Sequence, residues 1–223
     1  MGPNQKERRM KTNQPAVMVW SAGLRLVHWL DALVVLGLLG TVFLRKTFLS
    51  YKTNGPLIQE KLGELDAQIT LDAASGIAKA IRAPMWGWHY YLGFALVALL
   101  LYRVFLLFVK REDEILTASL LSRNSTVKFK KRIARTLHVL YYLFVLVMVV
   151  TGLMLYFKEK VGLPGNVAKG IKEYHELLTW FFVAFVPLHF VAVIIAENTN
   201  EPGIVSAMIH GKRPNDPYSA KKD

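Results

Sequence analysis

Four long apolar windows constrain the fold more than any other feature of this chain. They cover residues 26–44, 83–102, 136–157 and 177–196, and only Asp31 places a formal charge inside the first window. Each is about 19 to 22 residues long, which is enough for a helix to cross a hydrocarbon core of about 30 Å. With 53% hydrophobic residues among 223, the chain is predicted to be an all-α integral membrane protein, a bundle of four transmembrane helices.

We expect transmembrane helices over about 24–44, 84–108, 134–157 and 174–196, within a membrane domain spanning 20–200. Residues 1–19 are polar, basic and aperiodic, which predicts a disordered N-terminal tail. The external connection 45–82 contains four apolar residues at helical spacing, which predict a short interfacial helix: Ile58, Leu62, Leu65 and Ile69. Residues 201–223 are predicted to form a C-terminal tail.

The distribution of basic residues predicts the orientation in the membrane. The N-terminal tail, the 110–135 connection and the C-terminal tail together contain 17 lysines and arginines, against 10 in the other two connections. Because basic loops stay on the cytoplasmic side, both termini are expected in the cytoplasm. The formal charge of +12 therefore indicates contact with anionic membrane lipid and predicts no nucleic-acid partner. The absence of cysteine excludes a covalent c-type haem and an iron–sulfur cluster.

Five histidines fall within the predicted spans, and they form two layers: His28, His138 and His189 in the cytoplasmic half, and His89 and His175 in the outer half. Imidazole is costly inside a bilayer, so these side chains are expected to face the bundle interior and to have partners. On a helix, a separation of fourteen residues corresponds to about 21 Å along the axis and returns to within roughly 40° of the same face. His175 and His189 therefore occupy one face at two depths.

Two imidazoles from facing helices are what a haem iron needs at its axial positions, since the porphyrin supplies the other four ligands. Zinc and copper sites usually recruit more side-chain ligands than the two histidines that the outer layer offers. We therefore predict two haem sites. His89 and His175 form the outer pair, while His189 pairs with either His28 or His138, a choice that spacing leaves open.

Three motifs carry a resemblance to a known family: RLVHW at 25–29, HYYLG at 89–93 followed by Arg103, and HELLTWFFVAFVPLH at 175–189. They resemble the prokaryotic cytochrome b561 family, which includes the b-type cytochrome subunits of nickel–iron hydrogenases. The resemblance implies a cytochrome of the bacterial inner membrane with two haem b groups. It also implies that four histidines ligate the two irons axially, in the pairs His28–His189 and His89–His175. His138 is then not assigned to either iron.

Other residues support this interpretation. Arg103 lies fourteen residues after His89, where it is expected to neutralise a haem propionate or, alternatively, to extend to the membrane surface. Gly93 lies one turn after His89 and is expected to allow close approach of a porphyrin or of a neighbouring helix. Asp31 and His138 are candidates for proton exchange with a quinone, and a salt bridge or a solvated position is the alternative for each.

The sequence thus predicts electron transfer between the quinone pool and a redox partner on the periplasmic face, such as a hydrogenase or another dehydrogenase. One alternative is a free-standing quinone oxidoreductase that acts on a soluble small molecule such as superoxide. A histidine-dependent proton or metal transporter, and a scaffold whose imidazoles only join helices, are further alternatives.

Overall fold

The structure is a computed structural model, and it describes residues 20–109, 125–199 and 202–211. Within these ranges all regular secondary structure is helical. The helices are α1 (Ala22–Lys46), α2 (Tyr51–Gly63), α3 (Leu71–Ile81), α4 (Ala83–Val109), α5 (Ser125–Tyr156), α6 (Gly165–Asn198) and α7 (Ile204–His210). By length and composition, α1, α4, α5 and α6 can each cross a membrane, which confirms the prediction of four long apolar helices.

The observed helix ends differ from the predicted ones mainly in α5 and α6. α5 begins at Ser125 and α6 at Gly165, each nine residues earlier than expected. With 34 residues, α6 is about 51 Å long and exceeds the thickness of a hydrocarbon core. Hydropathy therefore located the spans but not the helix ends, because the polar residues before each span continue the helix. The predicted disordered tail 1–19 lies outside the described residues.

The chain divides into two compact units. The larger unit comprises Val27–Phe105 and Val139–Pro187, and the smaller comprises Met1–Leu26, Leu106–His138 and Leu188–Asp223. In the larger unit, all four long helices contribute to one buried core, formed by Val35, Leu39, Leu96, Val145 and Phe182. Close aromatic stacking joins two of these helices, since the rings of Phe144 and Phe181 lie 3.9 Å apart. The larger unit is therefore a four-helix bundle, as predicted.

Large apolar side chains also cover the outside of the larger unit. Leu33 on α1, Tyr91 on α4, Leu146 on α5 and Leu177 on α6 are all exposed. In water such an apolar surface would promote association, whereas in hydrocarbon it costs nothing. The exposed faces are thus suited to lipid, and helix association in that setting depends on packing rather than on the exclusion of water.

The 45–82 connection contains two helices where the sequence predicted one. Ile58 and Leu62 lie in α2, but a helix continuing through Leu65 and Ile69 is wrong. Gly63 ends α2, and Asp66 has a positive φ of 59° that no α-helix accommodates. α3 was missed because it packs through small residues rather than through large apolar ones: Ala74 and Ala78, both almost completely buried.

α2 and α3 pack closely at Gly55. A Cβ atom on this residue would lie 2.6 Å from Ser75 Oγ and 3.3 Å from Ser75 Cα, so only glycine fits without displacing α3. Thr70 caps the start of α3 by accepting a hydrogen bond from the Ala73 N–H at 3.2 Å. The connection is thus an ordered helical hairpin, here named the α2–α3 hairpin.

In the smaller unit, the segment predicted as a C-terminal tail contains the helix α7. Glu197 accepts hydrogen bonds from the N–H groups of Gly203 and Val205 at 2.9 and 3.0 Å, which satisfies the start of this helix. At its other end, Arg25 Nη1 donates to the carbonyl of Ile209 at 2.6 Å. These polar contacts stabilise a helix of only seven residues that propensity alone would not maintain.

Candidate functional site

The larger unit contains a cavity of about 500 Å³ lined by residues of α1, α4, α5 and α6. It lies toward the C-terminal ends of α1 and α5 and the N-terminal halves of α4 and α6. His89 of α4 and His175 of α6 both line it, so the structure brings the predicted outer pair into one cavity. The volume is within the range of about 300 to 1,000 Å³ that is usual for cofactor pockets.

The cavity wall is largely apolar, with charged residues at one end. The charged residues are Arg45, Lys46, Lys158, Lys172 and Glu176, of which four are cationic. Arg45 forms an ion pair with Glu176 at 3.2 Å, and its guanidinium lies 5.8 Å from the ring centre of Trp86. A flat apolar ligand that carries anionic groups at one edge matches this distribution. Haem b, an apolar ring with two propionates, is such a ligand.

Each histidine in the cavity is hydrogen-bonded through Nδ1 to a threonine on a neighbouring helix. Thr41 Oγ1 of α1 lies 2.7 Å from His89 Nδ1, and Thr151 Oγ1 of α5 lies 2.8 Å from His175 Nδ1. Sequence reasoning missed both threonines. Their position within apolar spans was a weak signal, because a hydroxyl group there needs a hydrogen-bond partner.

Two glycines, Gly93 and Gly152, line the cavity. A Cβ atom on Gly93 would have no heavy atom within 4 Å, so no neighbouring helix requires glycine there. Gly93 lines the cavity, and its expected role in allowing close approach of a porphyrin stays a prediction. At Gly152, a Cβ atom would lie 3.4 Å from His175 Cε1, so α5 already lies in van der Waals reach of the imidazole ring.

The donor set limits what the cavity can bind. Among the residues that the structure describes, no group of three or more histidine, cysteine, aspartate or glutamate side chains could hold a bare metal ion. Two imidazoles and an apolar cavity instead suit a metal that brings its own equatorial ligands. The residues present therefore fit haem.

The other predicted histidines belong to different parts of the structure. His28 lies in the larger unit, where its ring meets Trp29 edge to face at 5.5 Å. His138 and His189 lie in the smaller unit, within electrostatic range of each other. The pairing of His28 with His189 therefore stays a prediction. His210 ends α7 and is exposed.

Asp31 is buried and has a specific partner. Only 9% of it is exposed, and its Oδ2 accepts a hydrogen bond from the Tyr141 hydroxyl at 2.5 Å. The alternative of a solvated carboxylate is therefore wrong for Asp31. Tyr141, which sequence reasoning missed, also stacks on Phe185 at 4.9 Å. Arg103 lies 5.7 Å from the ring centre of Tyr142, and its predicted contact with a propionate stays a prediction.

Comparison with known proteins gives one match. The sequence model of the family described as prokaryotic cytochrome b561 matches residues 19–211, which includes all four long helices. Neither the curated proteins nor the solved structures contain a match.

Filling the cavity from Gly93 tests whether it holds the ligand. We expect Gly93→Phe to occupy the cavity and to remove about half of the Soret absorbance per chain, because one of the two predicted haem sites would be blocked. The matched control is Gly87→Phe on the same helix, since Gly87 does not line the cavity and its Cβ would also meet no heavy atom within 4 Å. Equal absorbance in the two variants, at equal helicity by circular dichroism, would contradict this assignment.

Proposed function

The chain belongs to the prokaryotic cytochrome b561 family, and from this premise we propose that it carries electrons between membrane quinone and a redox partner at the periplasmic face. It is accordingly a membrane-bound b-type cytochrome with transmembrane helices. The proposal further assigns two haem b groups to each chain, held by His89 with His175 and by His28 with His189.

The observation that carries the proposal is the convergence of His89 and His175 on one apolar cavity. When bound there, haem supplies an iron centre that accepts and releases one electron at a time. His89 and His175 would hold the haem, and a haem held by two protein ligands suits electron transfer rather than oxygen binding. The apolar residues around them exclude water, and Arg45 and Lys172 at the charged end would neutralise propionates.

The orientation follows from the basic loops. If both termini are cytoplasmic, the C-terminal end of α1 and the N-terminal end of α4 face the periplasm, and the cavity with them. His28 and His189 would then hold the second haem nearer the cytoplasm, with Arg103 beside a propionate. His138 remains the alternative partner of His189.

Asp31 is the candidate for proton exchange with quinone. Its burial and its hydrogen bond to the Tyr141 hydroxyl place a carboxylate within the bundle, one helical turn after His28 on α1. His138 is proposed to serve the same reaction.

The α2–α3 hairpin is the proposed docking surface for a periplasmic redox protein. Three apolar side chains of the hairpin are at least half exposed: Leu57, Leu65 and Ile81. The second candidate function, oxidation of a small anion such as superoxide, is favoured by the cationic end of the cavity, where Lys158 and Lys172 lie.

Removing single ligands should change the haem content in a defined way. We expect two haems per wild-type chain by the pyridine haemochrome assay, and about one in His89→Ala, His175→Ala, His28→Ala and His189→Ala. His210→Ala should keep both, since this residue lies outside the four long helices. Loss of one haem in His138→Ala with two retained in His28→Ala would reverse the assignment of the second pair.

The quinone site is tested by removing both proton-exchanging groups. The double variant Asp31→Asn, His138→Phe should retain two haems but turn over quinone more slowly, on the order of tenfold or more. Stopped-flow reoxidation of the reduced haems by a soluble quinone measures this rate. An unchanged rate would exclude both residues from the reaction.

Docking is tested by adding charge to the hairpin. In Leu65→Asp combined with Ile81→Asp, we expect loss of a redox protein that co-purifies with the wild type, and full retention of haem. Gln68→Asp, on the same hairpin, is the matched control and should keep the partner. If neither the wild type nor any variant co-purifies with a partner, and the purified wild type reduces quinone with superoxide, the second candidate function is correct.

A further inference from the structure

We propose that Thr41 and Thr151 are positioning residues that fix which nitrogen of His89 and of His175 ligates iron, and that they thereby lower the reduction potential of that haem. The inference deepens the proposed function and rests on it. It concerns two hydroxyls that touch the histidines but need not touch haem themselves.

The hydrogen bonds of Thr41 determine the tautomer of His89. A threonine hydroxyl has a single proton, and Thr41 Oγ1 donates it to the carbonyl of Leu38 at 2.6 Å. The same oxygen lies 2.7 Å from His89 Nδ1, so at that contact the oxygen accepts and Nδ1 donates. A neutral imidazole with its proton on Nδ1 has a free lone pair on Nε2. Nε2 is therefore the ligating atom.

Thr151 repeats the arrangement for His175. Its Oγ1 donates to the carbonyl of Val147 at 2.7 Å, with that of Met148 also in reach at 3.1 Å. The contact with His175 Nδ1 is 2.8 Å, so here too the oxygen accepts from Nδ1–H. In both cases the carbonyl contact is the shorter one, which supports the same direction of donation.

Neighbouring contacts hold the two rings in place. The edge of His89 meets Trp86 at 5.5 Å between ring centres. His175 Cε1 lies 3.4 Å from the position that a Cβ atom would take at Gly152, so α5 approaches the ring closely. Thr41 is 7% exposed, which shields its hydrogen bond from water.

The arrangement assigns a role to every helix around the cavity. α4 and α6 supply the imidazoles, while α1 and α5 supply the hydroxyls that orient them. A ligating histidine that donates its second N–H becomes a more basic ligand. A more basic ligand stabilises ferric iron over ferrous iron, which lowers the reduction potential.

The test replaces each threonine by valine, which has the same shape and no hydroxyl. Thr41→Val and Thr151→Val should each shift the redox titration of one haem to a more positive potential. We expect the ferrous-to-ferric ratio at fixed potential to rise by up to about tenfold, which corresponds to about 59 mV for a one-electron couple. The second haem should titrate as in the wild type.

Two further variants distinguish orientation from simple structural support. Thr41→Ser and Thr151→Ser keep the hydroxyl and should restore the wild-type potential. Thr47→Val is the matched control: Thr47 directly follows α1, and its Oγ1 donates to the carbonyl of Phe43 at 2.7 Å. This variant should leave the potential unchanged.

The outcomes separate this inference from the proposed function. Unchanged potentials in both valine variants, with two haems retained, would overturn the inference and leave the function standing. If the valine variants lose haem, the serine variants decide the question. Serine variants with full haem content and the wild-type potential support the inference, whereas serine variants that lose haem overturn it. A wild-type protein without haem would instead refute the proposed function.

Discussion

An imidazole within a membrane helix has two nitrogens to satisfy in surroundings that offer almost no water. In this protein, Nδ1 of His89 and Nδ1 of His175 are each bonded to a threonine hydroxyl, and both rings line one apolar cavity. The remaining nitrogen of each ring needs a partner in that cavity. The proposed haem iron would satisfy both at once, and this requirement would connect the fold to the function.

The four long helices surround the cavity that contains these two rings. Each of these helices contributes to the cavity, and the core residues Val35, Leu96, Val145 and Phe182 pack the same four helices together. Cationic side chains are concentrated at one end, where carboxylates of a bound ring could be neutralised. A bound amphipathic ring would therefore be expected to place its carboxylates at this end. Arg45 already pairs there with Glu176 at 3.2 Å.

Sequence reasoning succeeded where a pattern has one physical cause. Long apolar windows located α1, α4, α5 and α6, since a helix is the structure in which one segment satisfies all its own backbone hydrogen bonds within hydrocarbon. Residue depth alone placed His89 and His175 in one layer, and the cavity contains both.

The sequence could not predict the interactions between helices. Thr41, Thr151 and Tyr141 acquire their partners from the rotation of neighbouring helices, which no local pattern records. The sequence analysis did not predict α3, because small residues pack it against α2 and hydropathy gives little weight to alanine. The starts of α5 and α6 were misjudged because helices continue past the apolar segment into polar sequence.

The most direct test of the central claim is the position of iron in the purified protein, measured by anomalous diffraction at the iron absorption edge. The account predicts two iron peaks per chain, one of them in the cavity between Nε2 of His89 and Nε2 of His175. An iron peak ligated through Nδ1, or no iron between these two histidines, would contradict it.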